Sequence, residues 1–312
     1  MDEPAVAVRD LHRRFGDVHA VAGLTLDVAP GELFGIVGPD GAGKTTTLRM
    51  LAGVVRPTSG DAVVGGVSVA DDPEGVKHHI AYMSQRFGLY TDLTVRENID
   101  FYADLFLVPR AARASRRERL YAFSGLGPFE HRLAGQLSGG MKQKLGLCCA
   151  LVHEPDIMLL DEPTFGVDPI SRRDLWLIVH GMVANGMTVI VATAYLDEAE
   201  RCDRVAFLHH GRLVELDTPA ALQQQLAERV YQVRTNHPRM ARDVLRAHEA
   251  VQQAVLFGDM LHVTFERPER DWPRARAALA EASIEVLEAA PTEASLEDVF
   301  IQLVSESGAG HG

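Results

Sequence analysis

A chain of 312 residues, 46% hydrophobic and 24% charged, has the composition of a folded protein with a real core, enough for one large domain or two of ordinary size. No uncharged apolar run approaches the roughly 18–20 residues that cross a bilayer, and the acidic start MDEPAVAVRD lacks the order of a signal peptide, so a cytosolic chain is expected. A net charge of −12 argues against a nucleic-acid partner, and Cys148, Cys149 and Cys202 have no metal-ligand spacing and read as reduced, buried thiols.

Along the chain, VAVRDL (6–11), LTLDVA (24–29) and AVVGGVSV (62–69) alternate and carry turn signals, as antiparallel strands do. LFGIV (33–37) is a short apolar strand that runs into a glycine-rich loop and then a helix beginning near Lys44. Residues 94–150 are rich in Arg, Leu and Ala at helical spacing and read as a helical insertion. IMLLD (157–161) and TVIVAT (188–193) are buried-type strands, with helical stretches around 138–152 and 170–184. Strands alternating with helices predict a parallel α/β sheet. A break follows Asp217-Thr218-Pro219. Beyond it come YQVRT, a helix near 238–248, VQQAVLF, a Gly258-Asp259 turn, MLHVTFE, a helix near 272–282, IEVLEA and a last amphipathic helix at 295–304. That βαββαβ order predicts a small α+β domain over 221–312.

Three motifs carry chemistry. GPDGAGKT, Gly38 to Thr45, has the spacing of a phosphate-binding loop between a strand and a helix. Its glycines let backbone N–H groups surround phosphate oxygens, and the helix N-terminus adds positive potential. Lys44 can reach the β- and γ-phosphates, and the Thr45 hydroxyl can bind Mg²⁺. In IMLLDEP an apolar strand ends at Asp161, a candidate Mg²⁺ ligand, with Glu162 next to polarise a water. Alone, that pair is equally a polar strand end. LSGGMKQKL (137–145) offers Ser138 as a helix cap and two glycines that let amides approach an anion; alone, it is equally an ordinary cap.

Taken in order, the P-loop, Gln85 in YMSQRFGLY, LSGG, LLDEPT and the loop ending at Asp168 resemble the ATPases of ABC transporters over about residues 5–220. The resemblance implies an ABC ATPase domain over 1–220: a P-loop core, an antiparallel β-subdomain and an inserted helical subdomain at about 90–150. It implies ATP and Mg²⁺ as cofactors and head-to-tail pairing with a second ABC ATPase domain, each ATP lying between one P-loop and the other LSGG. Ser138, Gly139, Gly140 and Gln143 would thus serve the partner's site. Pro39, Asp40, Gly41, Ala42, Gly43 and Thr46 would complete the loop around the phosphates. Phe15 would stack on adenine with Val21 beside it, although an aromatic there is as easily a core residue. Gln85 would touch the metal and the attacking water and relay the state of the site to a transmembrane permease subunit on a separate chain. RFGLYTDLTVREN (86–98) would face that subunit, and Asp168 would lie at the dimer seam. The tail PTEASLEDVFIQLV looks like that of the ATPase subunits of drug- and polyketide-exporting ABC-2-type systems, which points to an exporter held peripherally at the inner face of the membrane.

Three positions depart from the family's pattern. Asp40 stands where asparagine is usual, TFGVD (164–168) varies the seam loop, and Ala194 stands where a histidine contacts the γ-phosphate. Losing one preorganised donor costs about 2.7–4 kcal/mol, roughly 10²–10³ in rate. His209 and His210, in a surface turn, and His153, in a loop, are not expected to substitute. The chain thus resembles the histidine-less member of an asymmetric pair, with a histidine-bearing heteropartner. The competing expectation is a slow homodimer using Glu162 alone. Two other readings are a non-transport ABC protein acting on the ribosome or nucleic acid, and a regulatory subunit with negligible turnover. For the C-terminal domain, dimer stabilisation and ligand sensing both remain open.

Overall fold

The computed structural model describes residues 3–85 and 88–309, with side chains to 305. The chain forms two compact units, Met1–Tyr195 with Cys202–Leu213, and Leu196–Arg201 with Val214–Gly312.

In the first unit, a central sheet has the order Arg212–Asp217, Arg204–His209, Leu33–Val37, Thr188–Thr193, Ile157–Asp161, Ile80–Met83. The chain passes into the second unit within Arg212–Asp217. The pairings among Arg204–His209, Leu33–Val37, Thr188–Thr193, Ile157–Asp161 and Ile80–Met83 are parallel. Leu33–Val37, Ile157–Asp161 and Thr188–Thr193 are buried along their whole length. Continuous apolar runs of this kind belong to a sheet covered on both faces, where alternation would expose half the side chains. In such sheets, ligands gather beyond the carboxyl ends of the strands. Here three adjacent strands deliver the P-loop, Ala194 and the Asp161-Glu162 pair to one edge.

The expected antiparallel sheet has the order Val18–Val28, Val6–Phe15, Ser59–Val64, Val67–Ser68. The insertion is built from helices Val95–Leu105, Arg110–Ser124 and Gly139–Leu151. The first begins in a reciprocal cap: Glu97 N–H donates to Thr94 Oγ1 at 3.2 Å, and Thr94 N–H donates to Glu97 at 2.8 Å. One turn in, Asn98 is fully buried. Its amide donates to the carbonyls of Tyr90, Leu93 and Thr94 at 3.0, 3.2 and 2.9 Å, and its oxygen accepts from Tyr90 N–H at 3.0 Å. A single side chain thereby closes the loop between residues 90 and 94.

The second unit holds an antiparallel sheet of order Gln253–Phe257, Met260–Thr264, Val230–Thr235, Val286–Thr292, with helices Pro238–Arg246 and Pro268–Glu281. Val233, Leu245, Leu261, Phe265 and Leu279 lie in its core. The βαββαβ order follows the sequence reading. The second helix starts four residues earlier than expected, because Pro268 opens it without needing a donor and Asp271 accepts from Arg267 N–H at 3.1 Å. Pro273 lies inside that helix and does not begin it. In the last helix, Leu296–Ala309, Asp298 is buried and accepts from Ser295 N–H and Oγ at 2.9 and 2.7 Å, and its carboxylate lies 2.9 Å from His262 Nδ1.

Replacing Asn98 with Ala strands several buried loop groups together. The expected loss of stability is about 2–4 kcal/mol, read as a lower urea midpoint at unchanged slope. A loss below about 0.5 kcal/mol, the range of ordinary surface changes, would show that water replaces the amide without cost.

Candidate functional site

The P-loop follows the buried strand Leu33–Val37 and ends at Gly43, where helix Lys44–Leu51 begins with no side-chain cap. The first-turn N–H groups of a helix have no partner within it, so they remain directed at the loop's concavity. Gly43 has φ 104°, and a Cβ there would lie 2.4 Å from the Ala20 carbonyl oxygen. Only glycine lets the loop close against the strand Val18–Val28.

Lys44 is only 4% exposed. Its ammonium donates to the carbonyls of Gly38 and Pro39 at 2.7 and 3.1 Å and lies 3.7 Å from Glu162 Oε1. A buried cation requires such partners, and phosphate oxygens can supply the same contacts. Thr45 Oγ1 donates to Asp161 Oδ1 at 2.9 Å, and Tyr82 hydroxyl donates to Asp161 Oδ2 at 3.1 Å. Burial, then the Asp161 charge, pushes the Tyr82 phenol up to about 12, so it stays a donor at neutral pH. Gln85 Nε2 donates to Glu162 Oε2 at 3.0 Å. Glu162 has φ 49°, and its N–H donates to Ala192 O at 2.8 Å. A non-glycine residue held in that region stores strain at the point where the strand turns, as functional sites often do.

Lys44, Thr45, Gln85 and Glu162 line a pocket of about 600 Å³ together with Val18, His19, Ala20, Asp40, Gly41, Ala42, Gly43, Thr46 and His210; Asp161, buried, meets it through its bond to Thr45. Gly38 and Pro39 contribute through the carbonyls that hold Lys44. The Thr45 hydroxyl beside the Asp161 carboxylate is a hard-oxygen pair, and Mg²⁺ at nucleotides takes one or two such protein ligands plus phosphate oxygens and water. The donor set therefore fits Mg²⁺. Gln85, expected at the metal and the attacking water, lines the pocket and donates to Glu162.

Ala194 directly follows the strand between the P-loop strand and the Asp161 strand. Val37 pairs with Thr193, and Asp161 with Ala192. Ala194 is exposed at that edge and brings no side-chain donor to it. Val21 differs from the expectation of an adenine contact. Val21 is fully buried, and the lining residues from its strand are Val18, His19 and Ala20. Phe15 is 48% exposed at a strand end, with the Arg13 guanidinium 4.4 Å above its ring. Among the described residues, neither Phe15 nor Val21 belongs to the pocket lining.

The signature residues stand apart from this pocket's lining. Ser138 caps helix Gly139–Leu151 by accepting from Met141 N–H at 3.3 Å; Ser138 and Gly139 are exposed, Gly140 is buried and Gln143 is half-buried. Asp168 caps helix Pro169–Ala184, accepting from Ser171 and Ile170 N–H at 3.0 and 3.1 Å. The hydrogen bonds from Ser171, then that from Ile170, hold its carboxyl below the usual carboxylate range. Of the segment 86–98, Arg86 and Phe87 lie outside the described residues.

Sequence reasoning missed Tyr82, His19 and His210. No local motif marks a tyrosine or histidine as a site residue; the parallel register brings Tyr82 to Asp161, and a turn brings His210 to the loop. The surface turn read over 209–212 narrows to His210 and Gly211, with His209 ending the strand Arg204–His209 and Gly211 buried; His210 is exposed and lines the pocket. His153 differs from a plain loop residue: its Nε2 lies 3.0 Å from the Ile80 carbonyl oxygen and its ring stacks on Phe106, centroids 4.0 Å apart.

The family described as ABC transporter matches residues 21–165. The chain is 42% identical over 312 residues to a probable multidrug ABC transporter ATP-binding protein, YbhF, of Escherichia coli (strain K12); the match covers 99% of this chain and 53% of that protein, so the chain spans about half the length of this relative. It is 35% identical over 304 residues to the daunorubicin/doxorubicin resistance ATP-binding protein DrrA of Streptomyces peucetius, covering 96% of this chain and 92% of that one. It is 34% identical over 300 residues to Nod factor export ATP-binding protein I of Burkholderia lata, covering 95% of each. A solved ATP-binding subunit of an ABC transporter superposes with a TM-score of 0.64 at 30% identity, over 71% of this chain and 92% of that one. The chain belongs to the ATP-binding subunits of the ABC transporters.

Proposed function

We propose that this chain binds MgATP at its P-loop, hydrolyses it slowly in partnership with a second ABC ATPase domain, and powers export through transmembrane permease subunits at the inner face of the membrane. The observation that carries this reading is the convergence of Lys44, Thr45, Glu162 and Gln85 on one pocket, with Asp161 bonded to Thr45 beside it. The P-loop amides and Lys44 would bind and orient the phosphates, with Lys44 exchanging loop carbonyls for β- and γ-oxygens. Thr45 and Asp161 would hold Mg²⁺, which would offset the negative charge of the phosphates. Glu162 would orient the attacking water and accept its proton, while the Gln85 amide fixes the carboxylate's direction. Asp40, at the loop's rim, adds a like charge and tempers affinity.

Ala194 supplies no donor to the γ-phosphate, which supports slow turnover at this site. Ser138 and Gly139, exposed at the start of their helix, suit a role in completing a partner's site. That partner is a histidine-bearing domain or, less well suited to fast turnover, a second copy of this chain. The E. coli relative extends beyond the matched part by nearly the same length, so the partner domain need not be a separate polypeptide. The relatives' names speak of a multidrug ABC transporter, of daunorubicin/doxorubicin resistance and of Nod factor export; cargo choice would lie with the permease. Exposed Tyr90, Phe101, Leu105, Phe106 and Leu107, on and beside the segment read as permease-facing, suit an apolar docking surface. None of the described helices is long and apolar enough to cross a membrane. The relatives favour neither the ribosomal nor the regulatory reading.

Ala194→His is expected to raise steady-state ATP turnover by tens of fold, within the roughly 10²–10³ that one transition-state donor contributes, and Glu162→Gln to abolish it. Fast turnover by the unaltered chain, unchanged by Ala194→His, would show that the histidine is dispensable here. Tyr82→Phe removes one of the two donors that orient Asp161. It is expected to weaken Mg²⁺ binding in the presence of nucleotide by about tenfold, at the lower end for a lost outer partner, in calorimetric Mg²⁺ titrations. An unchanged Mg²⁺ affinity would reduce Tyr82 to a packing residue.

A further inference from the structure

We infer that Ser171 is a positioning residue for the LSGG turn: its side chain is the stop that fixes how Ser138 and Gly139 stand toward a second ABC ATPase domain, an inference that rests on the paired-site reading proposed above. The two glycines of that turn differ. Neither has a positive φ, and glycine is a poor helix former, so both stand in the first turn of helix Gly139–Leu151 without a conformational reason. Gly139 is exposed, and a Cβ there would meet nothing within 4 Å. Gly140 is buried, and a Cβ there would lie 2.2 Å from Ser171 Oγ and 2.3 Å from Ser171 Cβ. Carbon atoms in contact stand about 3.5–4.0 Å apart, so a side chain at 140 must drive the turn away from Ser171 by about 1 Å. The bare backbone at 140 therefore answers to this chain's own Ser171, while that at 139 leaves the turn open outward.

Ser171 also holds Asp168, the residue expected at the dimer seam. It lies in the first turn of helix Pro169–Ala184, which Asp168 caps, and it gives the Asp168 carboxylate its N–H at 3.0 Å and a hydrogen bond from its hydroxyl. Two helix starts, one capped by Ser138 and the other by Asp168, thus meet at a single glycine–serine contact. Close-packed atoms transmit a displacement, since no free volume is there to absorb it. The contact therefore sets the separation between the exposed Ser138-Gly139 pair and the exposed Asp168. Misplacing groups that complete a reaction site by about 1 Å costs about 10²-fold in rate. None of these residues lines this chain's own nucleotide pocket, so the contact acts on turnover and leaves ATP binding at that pocket untouched.

The test moves the Cβ across the contact. Steady-state ATP turnover per chain, the urea midpoint and calorimetric MgATP binding are measured for the full chain, for Gly140→Ala, and for Gly140→Ala combined with Ser171→Gly or with Ser171→Ala. Gly140→Ala is expected to lower turnover by about 10–100-fold, with ATP binding retained. Adding Ser171→Gly is expected to restore most of it, because the nearest remaining atom, the Cα of residue 171, lies 3.6 Å from the new Cβ, an ordinary contact. Adding Ser171→Ala is not expected to restore it, because the Cβ at 2.3 Å stays in place. The urea midpoints are expected to follow the same order, which keeps the comparison readable should Gly140→Ala fold poorly. Unaltered turnover and midpoint in Gly140→Ala overturn the inference. So does a loss that Ser171→Gly fails to reverse, or one that Ser171→Ala reverses equally well. Ser138→Arg separates the two readings: if it leaves turnover unchanged, the paired-site proposal fails, while the midpoints still decide whether Ser171 is the stop.

Discussion

A lysine ammonium with almost no access to water is the constraint on which this structure depends. Burying a charge is expensive unless partners surround it, and Lys44 is surrounded by the Gly38 and Pro39 carbonyls and the Glu162 carboxylate. That need fixes the loop's curvature, and the curvature requires a glycine at 43, packed against Ala20. The same need brings the end of Ile157–Asp161 within reach of the P-loop, two strands away in the sheet. The strand between them ends at residue 194. The P-loop, residue 194 and the Asp161-Glu162 pair therefore share one edge because of one strand order.

The asymmetry of the site follows from which parts are intact. Lys44, Thr45 and Asp161, which would hold phosphates and Mg²⁺, are bonded within the site, with Thr45 and Tyr82 donating to the two oxygens of Asp161. On the proposed reading, what Ala194 leaves out is a side-chain donor toward the γ-phosphate. Ground-state binding and turnover depend on different contacts, so a site can keep one and lose the other. The exposed Ser138 and Gly139 at the start of a long helix remain available to serve another domain's nucleotide.

Much of this was legible in the sequence, for identifiable reasons. The buried strands announce themselves as short apolar runs, and the P-loop by glycine and lysine at fixed spacing. Asp161 is read from its place at a strand's end. Contacts set by tertiary register were not legible. Tyr82 meets Asp161 because Ile80–Met83 and Ile157–Asp161 pair in parallel, which no local pattern specifies. Val21 was expected at the base and is buried, because the strand's face is decided by the sheet it packs in. His210 reads as a plain turn residue until the backbone bonds of Gly211 bring that turn to the P-loop. In the second unit, the helix expected near 272 begins at Pro268, where Asp271 accepts from the Arg267 N–H.

The most direct test of paired-site hydrolysis is the rate of ATP turnover per chain as a function of protein concentration, compared between the unaltered protein and Ser138→Arg. The account predicts a rate per chain that climbs with concentration, or on adding the partner domain, and that collapses in Ser138→Arg while ATP binding to the isolated chain persists. A rate per chain that is constant with concentration and indifferent to Ser138→Arg would contradict it, because the pocket of a single chain would then be sufficient.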